Sequence, residues 1–161
     1  VRTINLKNKK IFRARVRNTK ERAIHYTSAE MFKAPYGKPS QGRYNIVGHG
    51  ELYTCSNKEV AVTECKKGNN DVIDVVEWEV LENLNLIDLT NKESPLVKYC
   101  SYNADTSLGL EYLVPNFISQ CAKSKGITGL VHKSTKDENA LNYVFFDYLE
   151  KWFRFVNMHE M

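Results

Sequence analysis

Val72-Ile73-Asp74-Val75-Val76-Glu77-Trp78-Glu79-Val80 reads as the clearest strand of the chain, and a second strand follows over about 84–89. Upstream, Ile11-Phe12-Arg13-Ala14-Arg15-Val16 alternates in residue type. A period of two puts Phe12, Ala14 and Val16 on one face and Arg13 and Arg15 on the other, which predicts a strand with an apolar core face and a cationic opposite face. Residues 51–55 read as a short strand with Tyr53 opposed to Leu52 and Thr54. Residues 127–132 and 143–147 read as two more strands, joined by the polar loop Lys133 to Asn139. Strands outnumber helices and do not alternate regularly with them, so the sequence predicts one α+β domain over 1–161 rather than a doubly wound sheet.

Two helices interrupt the strands. Ser56-x-x-Glu59 is a capping-box pattern, which predicts a helix over about 57–66. Val60 and Glu64, four apart, share a face of it, so Glu64 is expected to point inward or into a cleft. Pro115 is expected at the first position of a second helix, with Phe117, Ile118, Cys121 and Ala122 as its apolar stripe and Gly126 as its stop. Residues 34–50 hold Pro35, Gly37, Pro39, Gly42, Gly48 and Gly50 and predict a long irregular loop. Asn91 to Ala104 is polar and reads as loop, while periodicity does not choose between helix and strand for Tyr148 to Val156.

Composition bounds the function. The 161 residues are 42% hydrophobic and 26% charged, ordinary globular values. There is no apolar run of membrane-spanning length and no apolar segment of signal-peptide type near the charged N-terminus. Cys55, Cys65, Cys100 and Cys121 form no C-x-x-C pair, and His25, His49, His132 and His159 stand at no metal-ligand spacing. No metal site and no disulfide framework are expected, and a cytoplasmic setting fits. Cys65 adjoins Glu64 and could serve as a nucleophile, but an inert buried thiol is the commoner reading. The net charge is +4, with nine Lys/Arg against one acidic residue in 1–22, which leaves −4 for the rest. This basic start reads as a phosphate-binding strand flanked by solvated lysines, since no recognisable nucleic-acid motif follows.

Neither G-x-G-x-x-G nor a Walker loop is present, and G-x-S-x-G and H-E-x-x-H are also missing. Nucleotide chemistry must therefore come from side chains. Gly42-Arg43-Tyr44-Asn45, Leu52-Tyr53-Thr54 and Thr63-Glu64-Cys65 supply an arginine, an aromatic ring and a carboxylate in turn. A guanidinium fork matches phosphate oxygens, a ring stacks on a flat heterocycle, and a carboxylate stabilises a sugar cation. The set suggests a dinucleotide whose glycosidic bond is attacked.

Phe12-Arg13-Ala14-Arg15, residues 42–65, Leu86-Ile87-Asp88-Leu89 and residues 118–146 together resemble the RES-domain family, in that family's order along the chain. The resemblance implies an ADP-ribosyltransferase-like mixed β-sheet core with a few flanking helices. It also implies a toxin, paired with a protein antitoxin, that takes NAD+ as substrate rather than cofactor and releases nicotinamide by hydrolysis, or by phosphorolysis with inorganic phosphate as co-substrate. By the same resemblance Arg43, Glu64 and Ser134 are the catalytic residues. Arg13 or Arg15, Tyr53 and Asn142 bind substrate. His132 replaces a common aromatic two residues before the serine, and Pro35-Tyr36 replaces a frequent proline pair. The alternatives are an ADP-ribosyltransferase acting on a macromolecule and a non-catalytic nucleic-acid-binding module using the basic N-terminus. The oligomeric state, homo-oligomer included, is left open.

Overall fold

The computed structural model describes residues 2–65, 67–102 and 109–161. Eight strands form one mixed sheet: β1 (Arg2–Ile4), β2 (Lys10–Asn18), β3 (Leu52–Cys55), β4 (Asp71–Val80), β5 (Leu84–Leu89), β6 (Gly129–Lys133), β7 (Leu141–Phe145) and β8 (Phe153–Glu160). Their order across the sheet is β1-β5-β6-β7-β3-β2-β4-β8. Among the described residues only β5 and β6 pair in parallel. A parallel pair needs a long crossover, and that connection carries α2 (Pro95–Cys100) and α3 (Leu113–Ser124); α1 (Lys58–Thr63) follows β3. The mixed sheet with few helices is the α+β architecture expected.

The feature that positions the site is a split in this sheet. β2 pairs with β4 along its whole length, and β3 pairs with β7 along all of β3. Between β2 and β3 only Phe12 and Cys55 pair. Beyond that contact the two halves separate, and the side chains of Arg13, Tyr53 and Thr54 line the opening.

Alternation sets the two faces. Leu52, Val131 and Phe145 join Ile11, Val76 and Trp78 in the main core, which Phe32 caps by stacking on Trp78 at 4.6 Å between ring centroids. Leu130, Val144 and Phe146 point the other way, onto Tyr44, Val97 and Ala122. A buried aliphatic or aromatic side chain of this kind contributes about 1.5–3 kcal/mol. No helix among the described residues is long and apolar enough to cross a membrane.

The structure corrects several sequence expectations. The arginine face of β2 is not uniform: Arg15 is exposed, Arg13 half-buried and Arg17 buried. Ile11 and Arg17, on that face, are buried, whereas Phe12 and Ala14 are only partly buried, beside Val60 and Ala61 of α1. β2 is an interior strand with material on both faces, so period two cannot say which face is wet. α1 is capped by Asn57, whose Oδ1 accepts from Val60 N at 2.9 Å. Ser56 instead ties β3 to β7 by accepting from Leu141 N. The helix ends at Thr63 with Glu64 as its C-cap; Lys66, the last position expected in it, lies outside the described residues.

Asn91 to Ala104 is not all loop. It contains α2, opened by Pro95 at the first turn with Val97 and Cys100, three apart, buried; its last two positions lie outside the described residues. α3 begins two residues before Pro115 and buries Pro115, Asn116, Ser119 and Ala122, while Phe117 is 69% exposed and Cys121 is exposed. Small residues bring this helix close to the sheet, and the larger Phe117 turns away. Gly126, at φ +69°, ends α3 in the left-handed conformation that glycine adopts without strain. The undecided segment 148–156 is a short 3-10 turn at Glu150–Trp152 leading into β8.

Candidate active site

Glu64 stands at the end of α1, where Ser134 Oγ and Asn142 Nδ2 each donate to its Oε1 at 2.9 Å. Ser134 is buried just beyond β6, held by its own N–H to Ala140 O, and its Oγ accepts from Lys136 N. Asn142 lies on β7, paired with Cys55 of β3. Three separate segments therefore fix one carboxylate. Charge-assisted donors of this sort are roughly twice as strong as neutral ones.

Glu64 and Asn142 line a cleft of about 160 Å³ together with Arg13, Tyr53, Thr54 and Cys65. Its walls hold three buried polar atoms without a hydrogen-bond partner: Arg13 Nη1, Thr54 Oγ1 and Asn142 Oδ1. Leaving such atoms unpaired costs about 1–3 kcal/mol each, so they mark a place built for a polar ligand. Burial pulls the Arg13 guanidinium down to about 10, which keeps it charged at neutral pH. Burial pushes the Cys65 thiol up, away from the thiolate a nucleophile needs.

Arg15 is placed elsewhere. Its guanidinium lies over the Tyr26 ring, 3.9 Å from the centroid, and its Nη1 donates to Glu30 O at 2.8 Å. It lines none of the clefts that hold Glu64, Arg43 or Tyr53. The geometry thus separates two arginines that strand periodicity left equivalent.

The loop carrying Arg43 is organised around Tyr53. The Tyr53 hydroxyl donates to Asn45 Oδ1 at 2.9 Å and accepts from Tyr44 N at 3.0 Å. Gly42 and Asn45 form an isolated bridge, and Asn116 of α3 donates from Nδ2 to Gly42 O. A Cβ on Gly42 would stand 2.3 Å from Asn45 Oδ1, so any larger residue must displace the Asn45 amide from Tyr53. Arg43 Nη1 donates to Cys100 O at the end of α2, at 2.7 Å. Arg43 borders both a cavity of about 310 Å³, shared with Arg13 and Tyr53, and one of about 720 Å³, shared with Ser134 and His132. Burial holds His132 below its ordinary pKa, hence neutral, and its ring lies 5.6 Å from that of Tyr44.

Arg13, Tyr53, Glu64 and Asn142 therefore line the cleft at the split in the sheet; Ser134 reaches it through its hydrogen bond to Glu64, and Arg43 borders the neighbouring cavity that shares Arg13 and Tyr53. Asn116 and Thr54 are contributors that sequence reading missed. Neither stands in a pattern with a chemical signature; only the packing of α3 and the parting of β2 from β3 give them a role.

A sequence model described as RES domain matches residues 10–157. A search of curated proteins found no match. Among solved structures, a chain in the crystal structure of the M. tuberculosis MbcT-MbcA toxin-antitoxin complex is similar, with a TM-score of 0.63 at 11% identity, over 99% of this chain and 86% of that one. That likeness concerns the fold, and the sequence match covers nearly all of the chain: it belongs to the RES-domain family.

Proposed function

We propose that this protein is the toxin of a toxin–antitoxin pair and that it cleaves the nicotinamide–ribose bond of NAD+. The observation that carries the reading is the Glu64 carboxylate, fixed by Ser134 and Asn142 beside the unpartnered Arg13 Nη1. Cleavage of that bond develops an oxocarbenium-like cation, and a preorganised carboxylate next to the ribose stabilises it. Arg13 and Arg43 hold the pyrophosphate. The Tyr53 hydroxyl is already engaged with Asn45 and Tyr44, so its ring is the part left to meet the substrate. The Ser134 proton is given to Glu64, which makes Ser134 an orienter of the carboxylate. The solved complex pairs a toxin with an antitoxin by its title, and a neutralising partner is the corresponding expectation for this chain. All four cysteines are free, in keeping with action in the cytoplasm on the NAD+ pool.

The acceptor is water or phosphate. Purified protein free of any antitoxin, given NAD+ with and without inorganic phosphate, is expected to release nicotinamide. Release that depends on phosphate identifies phosphorolysis, and intact NAD+ under both conditions overturns the proposal. Gly42→Ala, which pushes the Asn45 amide off Tyr53, is expected to raise KM for NAD+ about tenfold, the equivalent of one net hydrogen bond of ~1.4 kcal/mol. An unchanged KM would mean that the Arg43 loop does not depend on that contact.

The nucleic-acid reading is not favoured by any contact. Of the cations in the basic start, Arg13 lines the cleft, Arg15 lies on Tyr26, Arg17 is buried in ion pairs and Arg22 pairs with Glu30.

A further inference from the structure

Glu51 precedes β3 on the same alternation as Tyr53, and its side chain is fully buried. Lys123 of α3 donates to Glu51 Oε1 at 2.7 Å, and His49 Nδ1 lies 3.3 Å from the same oxygen. Glu51 Oε2 is buried and has no hydrogen-bond partner. The residue lines the cavity of about 310 Å³ that also contains Arg13, Arg43, Asn45 and Tyr53. Burial raises the Glu51 carboxyl above its ordinary value and the Lys123 ammonium opposes that; held as a carboxylate by Lys123, the residue leaves Oε2 as a buried acceptor unmet within the chain, which is costly unless something outside the chain donates to it.

We propose that Glu51 is a specificity-determining residue: Oε2 accepts a hydrogen bond from the exocyclic NH2 of a flat heterocycle bound in this cavity. The inference rests on the NAD+ reading and deepens it. An anionic ligand group is a poor match for this oxygen, because it brings like charge to a desolvated carboxylate and no proton to share. A carboxamide or an amino-purine supplies a donor and a flat face for the Tyr53 ring. NAD+ has such a group at each end, the nicotinamide carboxamide and the adenine amine, and the chemistry is common to both. Sites built to satisfy a ligand N–H reject analogues that lack it, because their own buried group is then left unpaired. Lys123 fixes Oε1, so it positions the acceptor without touching the ligand.

The test compares NAD+ with two analogues, one carrying a carboxylate in place of the carboxamide and one carrying hypoxanthine in place of adenine. Binding is measured by calorimetry, and turnover separately. Wild-type protein is expected to bind one of the two analogues at least 100-fold more weakly than NAD+, which also says which end of NAD+ meets Glu51. Glu51→Gln, whose amide can both donate and accept, is expected to cut that discrimination to less than tenfold. The double variant Glu51→Gln with Lys123→Gln, free of both buried charges, reports the same ratio if the single variant does not fold. Equal binding of all three ligands by wild type overturns the inference, as does discrimination that survives both variants, and so does failure to bind NAD+ at all. Discriminating binding without turnover leaves Glu51 its role and removes the cleavage reaction instead.

Discussion

Replacing Glu64 with Gln is expected to slow NAD+ cleavage about 10²–10³-fold, the usual loss when one preorganised electrostatic group is removed from a reacting centre. The substitution keeps the shape of the side chain. An amide oxygen still accepts from Ser134 Oγ and Asn142 Nδ2, so the local network persists. What disappears is the negative charge, and the charge matters most when the ribose becomes cationic. The loss should therefore fall on kcat, with KM for NAD+ nearly unchanged, because a group that acts mainly in the transition state does little for the ground state. Folding is not at stake, since Glu64 is exposed at a helix C-cap. Nicotinamide release under saturating NAD+ is the measurement. Full activity in the variant would remove Glu64 from the mechanism, and a raised KM with intact kcat would make it a binding residue.

The strands carrying this site were legible because alternation and apolar runs are local signals. β4, β5, β6 and β7 stand close to where the residue pattern puts them, and the pieces of the site were legible as residue types. What local pattern could not supply was depth. Arg13, Arg15 and Arg17 are equivalent by periodicity, yet one lines the cleft, one lies on Tyr26 at the surface and one is buried in ion pairs. The difference arises from β2 having β3 on one side for a single residue pair and β4 on the other for its whole length. That is a tertiary fact, set by strands far away in sequence. α2 was missed for a related reason: Ser94-Pro95 announces a helix start, but only two buried residues, Val97 and Cys100, hold it to the fold. The cap of α1 shifted by one residue because Ser56 found a better partner in Leu141 on a neighbouring strand. Glu51 shows the same limit from the functional side. At the start of the strand expected over 51–55 nothing local marks Glu51 as buried; Lys123, from a helix far along the chain, covers it.

The largest stability effect is expected at Arg17. Replacing it with Met should destabilise the protein by about 3–5 kcal/mol, measured by urea unfolding, because it strands a buried charge. Arg17 Nε and Nη2 donate to the two Asp74 oxygens at 2.8 and 3.2 Å, Nη1 donates to the carbonyls of Arg22 and Ala23, and Nη2 also pairs with Glu160. All five N–H donors of the guanidinium are thus used. Asp74, fully buried, further accepts from Tyr26 N and contacts His25 Nδ1 at 3.0 Å. The group joins β2, β4, the end of β8 and the segment leading to the Arg15–Tyr26 contact. Without Arg17, Asp74 must be desolvated with only weaker partners. Pairing Arg17→Met with Asp74→Leu should recover most of the loss, since an apolar pair leaves no charge stranded; a double variant as unstable as the single one would refute the charge argument in favour of shape. The wild-type pH profile carries the same signature. Burial alone would raise the Asp74 carboxyl, but the hydrogen bonds from Arg17, His25 and the Tyr26 amide outweigh it and hold the carboxyl below its ordinary value. A carboxyl depressed in the folded state stabilises above its unfolded pKa of about 3.9, and that stability is lost as pH falls through the lower folded value. Melting temperatures should therefore drop below about pH 4, and in Asp74→Asn the drop should be smaller, starting from a lower plateau.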